Sequence, residues 1–417
     1  MSNLAVPAPV FPEAARILNV GREATYGTLA TSYVSVPVND FQPDPDYHYF
    51  FDNAERGSLT GPYDAEQGPA WVTSSITESP VYGDTIGYFL AALFGEWSDT
   101  GTASGDTTWT APDGVTAGAD SITVTSGTVA TEGTYVQVGS GSGAEVCTVG
   151  SSSTDTSIVL STPTRFAHTG STTITLVVAP FTHTFATMNP GSPTGSNSGQ
   201  GPSLSVIDRN FISGSDGDYA DAYPYTVVQE MTLTGQPNGY LTWAGKLMSW
   251  PQTSPGASVT PAFSGAKGIP AWQGTSTVDG SSIPNIDQWK ITLTREVEAI
   301  PAINGQQAPL IFALGKLTGT FDNEYAAISD QSALDLMLQN TQPSLLWTTA
   351  NGLSGSSELS FSVSATLGAA TKAPLKVKST LFGYDLTGTL VANSTDVGPS
   401  SGFGVATLTI VNAIPSY

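Results

Sequence analysis

The chain has 417 residues, a formal net charge of −22, 39% hydrophobic and 12% charged residues, and one cysteine, Cys147. That length holds two or three domains with cores of their own, and the scarcity of Lys and Arg excludes a protein that grips nucleic-acid phosphates. A single cysteine excludes an intrachain disulfide framework and a thiolate metal cage, while frequent turn formers with many aromatic and β-branched residues indicate an all-β globular chain, not a disordered one.

The start, Met1-Ser2-Asn3, has neither a basic region nor an apolar stretch of the kind that directs secretion. The longest apolar runs, such as Ile86 to Phe94, are too short to span a bilayer. The expectation is a protein made in a cytoplasm, with no membrane partner.

In chain order, alternating segments predict strands at Tyr33–Val38 and Trp71–Thr77, followed by a helix over Tyr82–Phe94 with Asp84 as N-cap and Gly95 as stop. Further strands are predicted at Phe181–Thr187, Ser203–Asp208, Thr226–Thr234 and Tyr240–Met248. The second half repeats this order. Strands at Trp289–Val297 and Lys316–Asp322 precede a helix over Ser329–Asn340, capped by Ser329 or Asp330, with Leu334, Leu336, Met337 and Leu338 on its buried side. Strands at Leu345–Thr349, Glu358–Ser364, Val377–Leu390 and Gly404–Val411 complete it.

This parallel reads as an internal duplication of a strand–strand–helix–strand unit. Residues 1–102 and 180–250 form a first, discontinuous unit, and residues 283–417 form a second. Residues 103–179, rich in Ser, Thr, Gly and Val, have no counterpart and read as an inserted small β-domain, an Ig-like or small sandwich, projecting from the body. Residues 251–282 read as a linker by composition.

A search for chemistry yields little. His48, His168 and His183 lie in separate segments without metal-ligand spacing. Cys147 sits in an alternating pattern and reads as a small core residue. Asp216, Asp218 and Asp221, like Asp44, Asp46 and Asp52, are spaced loosely as calcium ligands, but neither set completes a calcium loop, so both read as solvated loops. No nucleophile elbow, phosphate loop or dinucleotide fingerprint is present, and no catalytic, cofactor-binding or metal residue is assigned.

The segment Gly21-Arg22-Glu23-Ala24-Thr25-Tyr26-Gly27-Thr28 resembles the opening of the tail tube (major tail) proteins of long-tailed, non-contractile bacteriophages. Glu55-Arg56-Gly57-Ser58, the strand at Ala70–Ser79, the Asp84–Gly95 helix, Phe181-Thr182-His183-Thr184-Phe185 and Lys316 to Phe321 follow in the same order as in that family. The long insert and the Pro-rich start (Pro7, Pro9, Pro12) depart from its shorter members.

The resemblance implies a mainly β fold: two tandem tail-tube-type β-sandwich or barrel units, each flanked by one α-helix. It also implies a structural virion protein, not an enzyme. Rings of subunits stack into the tail tube, an acidic conduit through which double-stranded DNA passes without specific binding, and the tube meets tape-measure and tail-end proteins. Two units per chain make the expected ring a homotrimer with pseudo-sixfold symmetry, the alternative being a homohexamer. Polar alternation supplies candidate lumen-facing residues: Thr73, Ser75 and Thr77; Lys316, Thr318, Thr320 and Asp322; and Glu358, Ser360, Ser362 and Ser364. The insert would decorate the exterior. Composition suits a secreted or surface-layer adhesin-like β-protein nearly as well, and a capsid or decoration protein of the same kind of virus is a further alternative; a polysaccharide depolymerase comes last.

Overall fold

The computed structural model describes residues 16–56, 60–189, 200–210, 219–255, 259, 261, 263, 265–283, 285–326, 332–378 and 381–417. Strands β1 (Arg16–Arg22), β2 (Val34–Val36), β3 (Phe41–Asp52) and β4 (Asp64–Pro80) precede helix α1 (Ile86–Phe94). Next come β5 (Gly95–Ala111), β6 (Ser121–Thr123), β7 (Tyr135–Val138), β8 (Glu145–Thr148), β9 (Ser157–Val159) and β10 (Thr172–Thr187). The chain continues with β11 (Leu204–Asn210), β12 (Tyr219–Gly235), β13 (Thr242–Ser249), β14 (Thr275–Val278), β15 (Ser281–Ser282), β16 (Ile286–Ile300) and β17 (Ile311–Tyr325). After α2 (Ser332–Leu338) follow β18 (Leu345–Ala350), β19 (Ser360–Ala365), β20 (Gly368–Lys372), β21 (Leu375–Lys378), β22 (Leu381–Leu390) and β23 (Thr407–Asn412).

The chain is mainly β. A 12-stranded and a 9-stranded antiparallel sheet face each other across one large core, to which both halves of the sequence contribute. Alternation makes this possible: Leu317 and Phe321 of β17 point toward Trp347 and Phe361 of the opposite sheet, while their neighbours point away. Where the sheets meet, Trp347 Nε1 donates to Asn323 Oδ1 at 3.0 Å, which satisfies a buried indole.

Eight strands of the larger sheet run in the order β3-β4-β13-β12-β16-β17-β22-β20. In each half a hairpin comes first (β3–β4, β16–β17), its second strand pairs with the later-formed strand of the next pair (β13, β22), and that strand pairs with its predecessor (β12, β20). The two halves meet at β12·β16, where Leu233 opposes Ile291 and Thr232 opposes Thr292. The strand that occupies this first place in the first half is β3, not the Tyr33–Val38 segment, which supplies β2 on a separate extension of the sheet. Asp44 and Asp46, read as part of a loop, lie along β3.

Helix α1 is buried at every position except Tyr88, because Ile86, Phe89, Leu90, Leu93 and Phe94 leave no polar stripe for solvent. It begins after Thr85, with no side-chain cap, so Asp84 does not cap it. Gly95 ends it at φ 92, donating its N–H to Ala91 O. Phe89 meets Trp243 of β13 at 4.8 Å between centroids, and burial of each such side chain contributes about 1.5–3 kcal/mol. Helix α2 ends at Leu338, before the expected Asn340; Ser329 and Asp330 lie outside the described residues, and Leu338 is exposed, not part of the buried side.

The insert grows out of one hairpin. β5 and β10 pair in the sandwich from Gly95↔Thr187 to Gly101↔Phe181, shift register, and continue outward as Ala103↔Val177 to Ala111↔Thr172. The outer part joins β6–β9 and β7–β8 around its own apolar core of Trp109, Val136, Cys147, Ile158 and Ile174. The corresponding hairpin of the second half, β18–β19, is closed by residues 351–359 alone. Within 251–282, β14 pairs with β18 and Ile269 is fully buried, so the later part of that stretch belongs to the sandwich.

Candidate functional surface

The Gly21–Thr28 segment folds around one carboxylate. Glu23 accepts hydrogen bonds from Gly27 N at 2.8 Å, Ser203 Oγ at 2.6 Å, Ser205 Oγ at 2.8 Å and Tyr225 N at 2.8 Å. It thereby ties the turn after β1 to β11 and to the bend of β12, where Tyr225 has φ 50 and stacks on Tyr26 at 5.1 Å. Burial pushes the Glu23 carboxyl above its ordinary range, against the pull of these donors.

A second buried network joins the insert, the sandwich and the chain end. His183 Nδ1 lies 2.6 Å from Asp99 Oδ1, and its Nε2 lies 2.8 Å from Ile414 O. Arg165 of the insert donates to Asp99 Oδ2 at 2.5 Å, and its Nε is 3.7 Å from Glu145, which also meets His168 at 3.0 Å. The sequence gives no sign of this clustering, because its members come from five separate segments. A cleft of about 670 Å³ beside it is lined by Arg22, Glu23, Glu96, Trp97 and Arg165. Its carboxylates are held by intramolecular donors, Glu96 by the backbone N–H and hydroxyl of Ser400 at 2.9 and 2.7 Å. Among the described residues no three His, Cys, Asp or Glu side chains gather as metal ligands, and no helix is long and apolar enough to cross a membrane. Asp216 and Asp218 lie outside the described residues.

The most extensive polar surface is the face of the larger sheet that points away from the core. Its side chains form cross-strand rows. One runs Gln42–Ser75–Lys246–Glu230–Thr294–Thr318, the next Thr232–Thr292–Thr320–Thr389, the next Thr242–Thr234–Lys290–Asp322–Thr387–Lys372. Thr232 and Thr292 hydroxyls pair at 3.1 Å, and Lys246 Nζ meets Glu230 Oε1 at 2.9 Å. The structure therefore gathers Thr73, Ser75, Thr77, Lys316, Thr318, Thr320 and Asp322 on this one face. Glu358, Ser360, Ser362 and Ser364 are separate from it: β19 belongs to the other sheet and buries Phe361 and Val363 toward the shared core, so its serines face the opposite way.

The charges on this face are mixed. Lys246, Lys290, Lys316 and Lys372 stand among Glu78, Glu230, Asp322 and Asp44, and hydroxyls fill most of the remaining positions. A further run of carboxylates, Asp46, Asp52, Asp64 and Glu66, follows along the β3–β4 hairpin. No protein-family model matches the chain, and no curated protein matches it in sequence.

Proposed function

We propose that this chain is a structural subunit of a phage-type tail tube: three copies close into a pseudo-sixfold ring, and rings stack into a conduit for double-stranded DNA. The observation that carries the reading is the doubled strand order β3-β4-β13-β12 and β16-β17-β22-β20 within one continuous sheet. A sheet built from two like units leaves a first-strand edge at β3 and a last-strand edge at β20, the same two kinds of edge that already meet at β12·β16. Joining β20 of one copy to β3 of the next repeats that junction and, on closure, removes both open edges. Pro43 and Pro45 deprive β3 of two backbone donors, which guards the free edge against indiscriminate strand addition and leaves the seam dependent on shape and side chains.

In such a ring the hydroxyl-rich face lines the bore. Threonines offer DNA phosphates no fixed charge, and Lys246 and Lys290 stand beside Glu230 and Asp322, so the wall conducts without gripping. The insert, attached at the far end of the β5–β10 hairpin, extends outside the wall. Electron microscopy of the purified full chain at high concentration tests this. Hollow tubes of uniform bore with three chains per ring are expected; flat lattices or persistent monomers would overturn the reading.

A further inference from the structure

A cleft opens where the insert meets the sandwich. The insert contributes Gly118, Thr164, Arg165 and Phe166 to it, and the sandwich contributes Arg22 at the end of β1 and Trp97 on β5. Its volume of about 670 Å³ falls in the range of sites for small organic molecules, about 300–1,000 Å³. All of its lining comes from a single chain, so what it does is separate from ring closure.

Donors outnumber free acceptors there. The Trp97 ring has two guanidiniums against it, Arg165 at 4.2 Å and Arg22 at 5.5 Å from the ring centroid. Arg165 gives Nη2 to Asp99, and Arg22 gives Nη1 to the main-chain oxygen of Tyr417 at 3.0 Å. Among the described residues, Arg165 Nη1 and Trp97 Nε1 are buried with no hydrogen-bond partner. A buried donor left unmatched costs about 1–3 kcal/mol, so two of them on neighbouring side chains of one cleft require an acceptor.

The carboxylates of the cleft are already engaged. Glu23 accepts from Gly27 N, Tyr225 N and the hydroxyls of Ser203 and Ser205, and Glu96 from the N–H and hydroxyl of Ser400. Burial raises both carboxyls, which favours their neutral form and lessens their repulsion of an anion. The guanidiniums, by contrast, repel each other: desolvation, then the like charge of Arg165, push Arg22 below its ordinary value. An anion against both of them supplies the missing acceptor and offsets that repulsion. Apart from these four charged residues the lining is neutral, and Tyr26, Phe166 and Met188 give it apolar area.

We propose that this cleft binds a small organic carboxylate, whose oxygens accept from Trp97 Nε1 and Arg165 Nη1 with Arg22 as the second cation, and whose apolar body lies against Tyr26, Phe166 and Met188. The planar fork of a guanidinium matches the two oxygens of a carboxylate. The apolar body distinguishes this ligand from a bare oxyanion such as phosphate. Because Arg22 belongs to β1 and Arg165 to the insert, the bound molecule ties insert to sandwich, beside the Arg165–Asp99 pair. The site is complete in one chain and stands whether or not chains form tubes.

Phenylacetate is the probe, with phenylacetamide as its uncharged counterpart and inorganic phosphate as the bare anion. In the unaltered full chain, nitrogen-15 spectra of the eight indoles report binding, the Trp97 signal being the one that Trp97→Phe loses. Phenylacetate at millimolar concentration should move the Trp97 indole N–H downfield and saturably, and should slow hydrogen exchange in residues 163–168. Phenylacetamide should do neither. Arg22→Gln should weaken phenylacetate binding about tenfold or more, the loss that goes with a charge-assisted hydrogen bond, and Arg22→Lys should recover part of it. A Trp97 signal that phenylacetate leaves unmoved, or an equal response to phenylacetamide, would overturn the site. Phosphate acting as strongly as phenylacetate would overturn the organic ligand. Both comparisons use the unaltered chain, so they decide the matter even where a variant misfolds.

Discussion

The guanidinium of Arg165, carried by the insert, lies 4.2 Å above the indole ring of Trp97 in the sandwich while donating to Asp99, a residue with no solvent exposure. This contact fastens the insert to the body. Removing Arg165 leaves Asp99 buried with a charge balanced only by hydrogen bonds, and breaking a buried pair in that way costs about 3–5 kcal/mol. Arg165→Ala should lower the unfolding temperature and raise hydrogen exchange in β8 and residues 163–168, with the sandwich core still protected. Equal loss of protection throughout the chain would show that the insert and sandwich unfold as one unit.

Buried acids give the protein two pH windows of opposite sign. Burial raises Glu23 and Glu96 above the ordinary 4.5, and their donors offset this only in part. The folded state therefore holds protons there that the unfolded chain has lost, so this contribution is present below pH 4.5 and is lost as pH rises through the folded values. For Asp99 burial also raises the carboxyl, but the Arg165 charge and the His183 hydrogen bond outweigh it and hold it below the ordinary 3.8. That contribution is present above pH 3.8 and is lost as pH falls through the lower folded value. Thermal melts of the unaltered chain and of Glu96→Gln between pH 4.5 and 7 check the first window: the variant should show the shallower decline.

Much of the strand pattern can be read from alternation, as at Trp71–Thr77 and Lys316–Asp322, because one apolar face and one polar face leave only one register. The edge strand β3 escapes that reading. Its Gln42-Pro43-Asp44-Pro45-Asp46 run has the composition of a turn, yet an edge strand tolerates proline and an arm in solvent needs no apolar face. The polar outer face of the larger sheet is half legible. Period-two alternation says which side of a strand is wet but not which sheet the strand joins, so it gives Ser360, Ser362 and Ser364 the same pattern as Thr318 and Thr320 although the core separates them. Net charge could not reveal that the carboxylates along the hydroxyl rows, Glu230 and Asp322, stand beside Lys246 and Lys290.

Gly27 is required twice over. It has φ 74, and a Cβ there would lie 2.1 Å from the Trp250 ring, while its N–H is one of the four donors to Glu23. Gly27→Ala should destabilise the fold by about 1–3 kcal/mol through strain alone, with added loss if Glu23 is left short of a donor. Gly105, at φ 74 with open space around it, is the control: alanine there carries the backbone strain without the clash, and the difference between the two unfolding midpoints isolates the Trp250 contact.

If the hydroxyl rows line a bore, added cations should convert a conducting wall into a binding one. Thr292 and Thr320 oppose each other across β16 and β17 and point away from the core. Tubes of the Thr292→Lys, Thr320→Lys chain should retain double-stranded DNA at low salt and release it steeply as salt rises, since each phosphate contact adds nearly one unit to the salt slope. Unaltered tubes should retain little under the same conditions. Equal retention by both would place these rows outside the DNA path.

The insert should be dispensable for folding of the sandwich, because its core of Trp109, Val136, Cys147, Ile158 and Ile174 shares no side chain with the main core. The β18–β19 hairpin supplies the design: there the same kind of pair is closed by residues 351–359. Replacing residues 103–179 with that connection keeps the Gly95↔Thr187 to Gly101↔Phe181 ladder whole. Asp99 loses Arg165 but retains His183 and Ser416, so the shortened chain should melt lower than the parent and still be folded at ambient temperature. Microscopy should then find tubes of the same bore and a thinner wall. A folded chain that no longer assembles would instead make the insert part of the contact between rings.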